Sequence, residues 1–220
     1  MNQLTFQFPF KTVYEKKDFY VSSNNFEAYK LIESWPKWPN KFLNIYGPSG
    51  SGKTYLSQIL KTKINSIIIN AETTEKILEK NINELDCVII DNYENNIKNE
   101  ILYSFINTCI QLDIYLMIIS TKPLQSFDIK LIDLKSRFNS FLSLGITLPT
   151  DDLLKVIITK YFSDNQIQID SKILEYIIKN IDRSYYNVFK FIKEIDKESL
   201  RSGKSISIKL VKKVLKNEHI

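Results

Sequence analysis

The sequence predicts an α/β fold in which a parallel sheet is covered by helices and followed by a small all-helical domain. Up to about residue 150, short apolar or β-branched runs alternate with segments of helical apolar spacing, a pattern typical of a parallel sheet with both faces buried. Beyond Pro149 only helical spacing remains. A glycine-rich motif directly follows the first strand. The predicted strands are 43–46, 66–70, 87–91, 115–120 and 141–146.

The predicted helices separate these strands and then continue alone. In the α/β part, helical spacing covers Phe26 to Trp35, begins again at Thr73 or Thr74, and covers Ile101 to Cys109. The later helices are predicted at 151–163, 171–181, 185–201 and 207–216. We expect the chain of 220 residues to divide into an N-terminal arm at 1–12, an α/β domain at 13–149 and a helical domain at 150–220.

The composition is that of a globular, reduced protein. With 44% hydrophobic residues the chain can bury a core, and no apolar run approaches the roughly 18 residues of a membrane span. The N-terminus lacks the basic start of a signal peptide. Cys87 and Cys109 lie inside apolar runs, which favours core positions over metal ligation or nucleophilic chemistry. We expect a cytoplasmic protein without a membrane partner.

The net charge of +5 comes mostly from lysine, which weakens it as a sign of nucleic-acid binding. Four lysines share one side of the last predicted helix and have the pattern of a solvated face. Direct DNA binding by the chain is therefore not favoured, although it stays open. The chain has three arginines, at 137, 183 and 201, and each can mark a place where a planar guanidinium is required.

The glycine-rich motif is a phosphate-binding loop of the form G-x-x-x-x-G-K-[ST]. Gly47 and Gly52 permit backbone conformations and close approaches that a Cβ would prevent. The loop amides can surround a β-phosphate at the N-terminus of the following helix, Lys53 can reach the β- and γ-oxygens, and the Thr54 hydroxyl can ligate Mg²⁺. The expected nucleotide-binding residues are Gly47, Pro48, Ser49, Gly50, Ser51, Gly52, Lys53 and Thr54.

A carboxylate ends the third predicted strand. Asp91 follows four apolar residues and is placed to hold Mg²⁺, the Walker B position, although an aspartate at a strand end can also simply cap a turn. Its neighbour is Asn92, where many ATPases of this kind have an acid that polarises water. An amide cannot accept that proton, so slow intrinsic hydrolysis is expected unless Asn92 only shapes the turn.

Ser120 and Thr121 end the next strand, where a hydroxyl can reach the γ-phosphate or the water beside it. Thr121 is the candidate for the residue called sensor 1. Arg137 follows, and this order of parts is that of AAA+ ATPases, in which such an arginine projects into a neighbouring subunit's nucleotide site. The alternative is a surface arginine paired with Asp133 at i, i+4.

The chain resembles the DnaA-related regulatory inactivators, the Hda family, which share the AAA+ core of the replication initiator DnaA. Residues 18–24 with 35–39 look like the family's approach to the phosphate-binding loop. Residues 90–92 match its variant Walker B, and 134–138 resemble the DnaA-type arginine-finger box. The resemblance covers nearly the whole length and extends to the end of the helical lid, so we expect no helix-turn-helix of the kind that DnaA uses.

The first residues are similar to the short peptide by which family members dock on the DNA polymerase sliding clamp. Gln3 offers an amide to a polar subsite, and Leu4, Phe6 and Phe8 are apolar anchors. The same alternation is also typical of an edge strand. The resemblance favours clamp binding.

The lid departs from the family pattern at one position. Tyr186 stands where DnaA and some relatives have a sensor arginine, and Arg183 lies one turn earlier. Either Arg183 contacts nucleotide from a shifted helix, or the lid contributes packing only.

The resemblance implies a negative regulator of replication initiation. Holding ADP or ATP with Mg²⁺ through Thr54 and Asp91, and tethered to the β subunit clamp of DNA polymerase III, it would present Arg137 to ATP-bound DnaA and stimulate hydrolysis there. DNA would be contacted indirectly, through the clamp. Self-association as a homo-oligomer stays open.

Two other functions compete with this one. A helicase loader or truncated DnaA-like initiator of the same class would bind DNA or a helicase directly. A P-loop nucleotide kinase is more distant, because it needs several arginines in its lid.

Overall fold

The computed structural model describes residues 19–70, 73 and 82–218. Contacts divide these residues between Thr147 and Leu148, where the sequence pattern placed a boundary at Thr150. The unit up to Thr147 contains a five-stranded parallel sheet in the order β2-β3-β4-β1-β5. Its strands are β1 Phe42–Tyr46, β2 Ser66–Asn70, β3 Cys87–Tyr93, β4 Tyr115–Ser120 and β5 Leu142–Gly145.

Four α-helices of the described residues belong to this sheet unit. They are α1 Phe26–Glu33, α2 Lys53–Lys61, α3 Asn99–Gln111 and α4 Ile132–Asn139, with a 3-10 turn at Leu124–Ser126. The predicted α/β fold with a parallel sheet is therefore confirmed. The helix expected from Thr73 or Thr74 lies, apart from Thr73, outside the described residues.

The central strands consist mostly of apolar residues because helices cover both sheet faces. One core joins alternate residues of β3, such as Val88 and Ile90, to α3 and α4, for example through Phe105 and Phe138. The other core joins the intervening residues to α1 and α2. Cys87 and Cys109 are buried free thiols, one in each core, and burial raises the pKa of Cys109 to about 12. Their expected core positions are confirmed.

An aromatic cluster packs beside the amino-terminal end of β4. The rings of Trp35 and Trp38 lie 5.1 Å apart, and each meets the ring of Tyr115 edge-on, at 4.5 and 5.7 Å. The indole nitrogen of Trp38 donates a hydrogen bond to the backbone oxygen of Leu31 over 2.8 Å, which ties the cluster to α1.

The second unit, from Leu148, is wholly helical in its described part. Its helices are α5 Asp151–Asp164, α6 Ser171–Asn180, α7 Tyr185–Ser202 and α8 Ile208–Glu218. Three of them begin at side-chain caps, where Thr150, Asp170 and Ser184 accept hydrogen bonds from backbone amides two or three residues later. No helix of the described chain is long and apolar enough to cross a membrane.

Candidate functional site

The phosphate-binding loop connects β1 to α2 at the carboxyl edge of the sheet. Gly50 and Gly52 have φ of 74° and 96°, values that glycine adopts without strain. Gly47 has φ of 156°, and a Cβ there would lie 2.1 Å from the carbonyl oxygen of Ile146. The glycines of the motif are therefore required by the loop's own geometry. Its amides precede the N-terminus of α2, as an anion site requires.

Lys53 begins α2 and lies against the loop. Its Nζ donates hydrogen bonds to the carbonyl oxygens of Gly47 and Pro48, over 2.7 and 2.8 Å. Burial lowers the pKa of Lys53, and the charges of Asp91 and Glu94 act in the opposite direction. The ammonium group is thus placed in the loop with two carboxylates near it.

Thr54 and Asp91 meet across the site. The Thr54 hydroxyl donates a hydrogen bond to Asp91 Oδ2 over 3.0 Å, and Asp91 is 4% exposed. A hydroxyl and a carboxylate converging at the end of a strand form an oxygen-only donor set, which suits Mg²⁺. The buried Oγ of Ser51 has no hydrogen-bond partner among the described residues. This side chain adds an unused oxygen to the same loop, so the residues present fit a nucleotide with Mg²⁺.

Asn92 follows Asp91 in the left-handed conformation, with φ of 57°. Its backbone amide donates to Asp91 Oδ1 over 2.9 Å and so helps to fix that carboxylate. Its side chain is exposed. Asparagine tolerates this conformation better than most residues, so position 92 has a structural role in the strand end.

The two hydroxyls at the end of β4 have different surroundings. Ser120 is 1% exposed, donates to the carbonyl oxygen of Lys122 over 2.7 Å and accepts from Asn44 Nδ2 over 2.9 Å. Thr121 is exposed and donates to the carboxylate of Glu94. Of the two predicted residues, Thr121 has its side chain at the surface of the site.

Sequence reasoning missed two residues here. Asn44 is a buried amide on β1 that also donates to the carbonyl oxygen of Ile118 and accepts from the amide of Leu124 over 3.2 Å, which joins β4 to the turn after it. A polar residue in an apolar strand was the available signal. Glu94 accepts from both the amide and the hydroxyl of Thr121, and no feature of its sequence position marks it.

Arg137 lies in the last turn of α4 and is partly exposed. Within the described residues its guanidinium has no hydrogen bond or ion pair, and Asp133 does not pair with it. The other two arginines are engaged. Arg201 pairs with Glu198 over 3.3 Å, and Arg183 pairs with Asp151 over 2.8 Å.

In the helical unit, Arg183 joins the turn before α7 to the start of α5 through its ion pair with Asp151. Both side chains are about half exposed, so the pair contributes little to stability. Tyr186 is 72% exposed. The predicted clamp-binding residues Gln3, Leu4, Phe6 and Phe8 lie outside the described residues.

No family model matches the chain. In sequence it is similar to the chromosomal replication initiator DnaA of Borrelia turicatae, 27% identical over 95% of this chain and 49% of that protein. An uncharacterised protein of Haemophilus influenzae is 24% identical over 90% of this chain and 92% of its own length. The chain thus spans about half the length of the DnaA relatives it matches.

The fold is similar to that of domain III of Thermotoga maritima DnaA, with a TM-score of 0.76 at 21% identity, over 96% of this chain and 98% of that one. A replication initiator DnaA bound to AMPPCP and single-stranded DNA matches with a TM-score of 0.69 at 19% identity, over 86% of this chain and 68% of that one. The AAA+ fold predicted from the sequence is confirmed.

Proposed function

We propose that this DnaA-related AAA+ protein is a negative regulator of replication initiation, which binds an adenine nucleotide and stimulates ATP hydrolysis by DnaA through Arg137. The proposal rests on one contrast. The phosphate site has its lysine, hydroxyl and carboxylate in place, whereas Arg137 has no partner within the described residues. Lys53, Thr54 and Asp91 all have hydrogen-bond partners within the site. Arg137 is left available to a second protein.

The proposed nucleotide is ADP or ATP with Mg²⁺. Support comes from the loop geometry, from the Thr54 to Asp91 contact, and from the similarity in fold to a DnaA that binds AMPPCP. Mg²⁺ would neutralise phosphate charge when bound. Thr54 and Asp91 would hold it, Lys53 would orient the phosphates, and the loop amides would exclude water from the β-phosphate. Because Asn92 cannot accept a proton, we expect slow turnover by the chain itself.

The proposed acceptor of Arg137 is the nucleotide site of ATP-bound DnaA. A guanidinium inserted beside a transferring phosphoryl group stabilises its developing charge. The two proteins have related folds, and AAA+ domains associate so that one domain's arginine completes the next domain's site. Tethering to the β sliding clamp through residues 3–8 would restrict this encounter to clamps loaded on DNA, by raising the local concentration.

Replacement of Arg137 tests the proposal. In an assay containing ATP-bound DnaA and clamps loaded on DNA, we expect Arg137→Ala to lower the stimulated hydrolysis at least about a hundredfold, since an arginine finger supplies about 10³ to 10⁵ in rate. Arg137→Lys should restore only a small part, because lysine lacks the planar donor pair. ADP binding by the variant itself should be unchanged.

Arg201 provides the matched control. It is an exposed arginine paired with Glu198, far along the chain from the phosphate site. Arg201→Ala should leave stimulation unchanged. An Arg137→Ala protein that inactivates DnaA as fast as the wild type would refute the assignment.

A DnaA-like initiator or helicase loader is the second candidate. The fold likeness to a DnaA bound to single-stranded DNA and the net charge of +5 favour it. It predicts salt-sensitive binding to single strands without any clamp. However, Lys213 pairs with Glu198 over 2.6 Å, and Lys212 lies over the ring of Tyr176. These two lysines, which lie on α8, therefore already have partners within the chain.

A further inference from the structure

An irregularity in β3 determines which side chains reach the nucleotide side of the sheet. Before it, alternate residues face opposite cores, and Asp91 lies on the α2 side with Thr54. From Ile90 to Tyr93, β3 advances three residues while its partner β4 advances two, from Ile118 to Ser120. This is a bulge, and an extra residue in one strand reverses the alternation that follows.

The reversal moves an aromatic ring into the core and a carboxylate into the site. Tyr93 is fully buried in the core on the α3 side, with Ile90. Glu94, the next residue, therefore returns to the side of Asp91. Its charge there acts on the ammonium group of Lys53.

Glu94 holds Thr121 at two points. Oε1 accepts the backbone amide of Thr121 over 3.0 Å, and Oε2 accepts its hydroxyl over 2.8 Å. A threonine hydroxyl has one proton and two lone pairs. With that proton donated to Glu94, Thr121 can offer only lone pairs to a further ligand.

From this geometry we infer that Glu94 is a specificity-determining residue of the nucleotide site, which disfavours a terminal γ-phosphate by occupying the Thr121 proton. A γ-phosphate oxygen needs a hydrogen-bond donor. At this position it would instead face the lone pairs of the Thr121 hydroxyl and the carboxylate of Glu94. A diphosphate ends at the β-phosphate, which the loop amides and Lys53 contact, so it avoids this cost. The inference rests on the proposed nucleotide site and assigns it a preference for nucleoside diphosphate.

Binding of ADP and of the non-hydrolysable triphosphate AMPPCP, each with excess Mg²⁺, tests the inference by calorimetry. The ratio of the two Kd values is the readout, so hydrolysis plays no part. Glu94→Gln removes the charge and can donate its amide proton to Thr121, which frees the hydroxyl proton for the ligand. We expect this variant to bind AMPPCP about fivefold more tightly relative to ADP.

A second substitution separates the hydrogen bond from the charge. In a Glu94→Gln background, Thr121→Val should reverse most of the gain, because the valine has no proton to donate. Asp113→Asn removes an equal charge from an exposed carboxylate just before β4, at the opposite edge of the sheet, and should leave the ratio unchanged. Thermal denaturation of each variant checks that it folds.

Two results would overturn the inference. One is a Kd ratio that does not change in Glu94→Gln. The other is a change that persists undiminished when Thr121 is valine. A wild-type chain that binds neither nucleotide would overturn the proposed function as well, whereas normal binding with an unchanged ratio overturns only the role of Glu94.

Discussion

At the scale of single residues, Gly47 shows how tightly the phosphate loop is built against the strand beside it. The amide of Ile146 donates to the carbonyl oxygen of Tyr46 over 2.7 Å, which holds β5 close to the start of the loop. The Gly47 amide donates to the carbonyl oxygen of Ser120 over 3.2 Å. With its backbone held from both sides, Gly47 cannot move to make room for a side chain.

We therefore expect Gly47→Ala to lower ADP affinity at least about tenfold and the free energy of unfolding by about 2 to 4 kcal/mol, because its Cβ would collide with the Ile146 carbonyl. Titration with ADP and urea unfolding measure the two effects. Gly203→Ala is the matched control, since Gly203 has φ of 61° but open space around it. It should cost about 1 kcal/mol and leave ADP binding intact. Equal ADP affinity in both variants would contradict the expectation.

The sequence is most informative about residues whose positions follow from motif spacing. Lys53, Thr54 and Asp91 belong to motifs whose separation fixes which atoms can meet, and the structure places Thr54 and Asp91 in contact. Asn44 and Glu94 were missed for a different reason. Asn44 contacts residues of β4, and Glu94 contacts Thr121, directly after β4. Which residues meet in this way is set by the register of the strands, which a single sequence does not display.

At the scale of elements, the bulge in β3 depends on a residue that accepts a positive φ. Asn92 has φ of 57°, its side chain is exposed, and the extra residue of the strand lies between Ile90 and Tyr93. A β-branched residue is strained in this region of backbone space, whereas glycine adopts it freely.

We expect Asn92→Val to lower the free energy of unfolding by about 1 to 3 kcal/mol through backbone strain. Asn92→Gly should stay within about 1 kcal/mol of the wild type. Urea unfolding at constant pH provides the comparison. Equal stability of the valine and glycine variants would mean that the bulge does not need the left-handed residue.

Strand positions were predictable because both faces of the sheet are buried. Cys87 to Ile90 and Leu116 to Ile119 are continuous apolar runs. In an α/β pattern, short runs of this kind are typical of buried parallel strands. The strand order was not predictable in the same way, since it depends on which edges meet in space. The bulge was invisible for a related reason: it is a mismatch between two strands, and neither strand contains it alone.

At the scale of the whole molecule, the chain consists of two compact units that differ in their secondary structure. The sheet unit contains the phosphate site and Arg137, and the helical unit contains the Arg183 to Asp151 pair. Helical spacing after Pro149 predicted the second unit's helices closely, because each has an apolar stripe and three have side-chain caps. The ion pair of Arg183 could not be predicted, since Asp151 is 32 residues away in sequence.

The proposed attachment to the β clamp through residues 3–8 also belongs to this scale. We expect Leu4→Ala and Phe6→Ala to weaken binding of the chain to the isolated β clamp by about 2 kcal/mol each, about thirtyfold in Kd, because apolar anchors dominate such contacts. Thr5→Ala and Gln7→Ala, at the alternate positions, are the matched controls and should bind almost normally. Surface plasmon resonance with immobilised clamp measures all four. If the two sets lose the same affinity, the alternating anchor pattern is wrong.

The cluster of Trp35, Trp38 and Tyr115 has a spectroscopic consequence. The chain has two tryptophans, and both lie in the sheet unit. Tryptophan fluorescence therefore reports on the sheet unit only, and helices α5 to α8 contribute no tryptophan to it. Far-ultraviolet circular dichroism observes helices in both units. Melting curves that coincide in the two signals would show one cooperative transition, whereas an early loss of ellipticity at constant emission would belong to the helical unit alone.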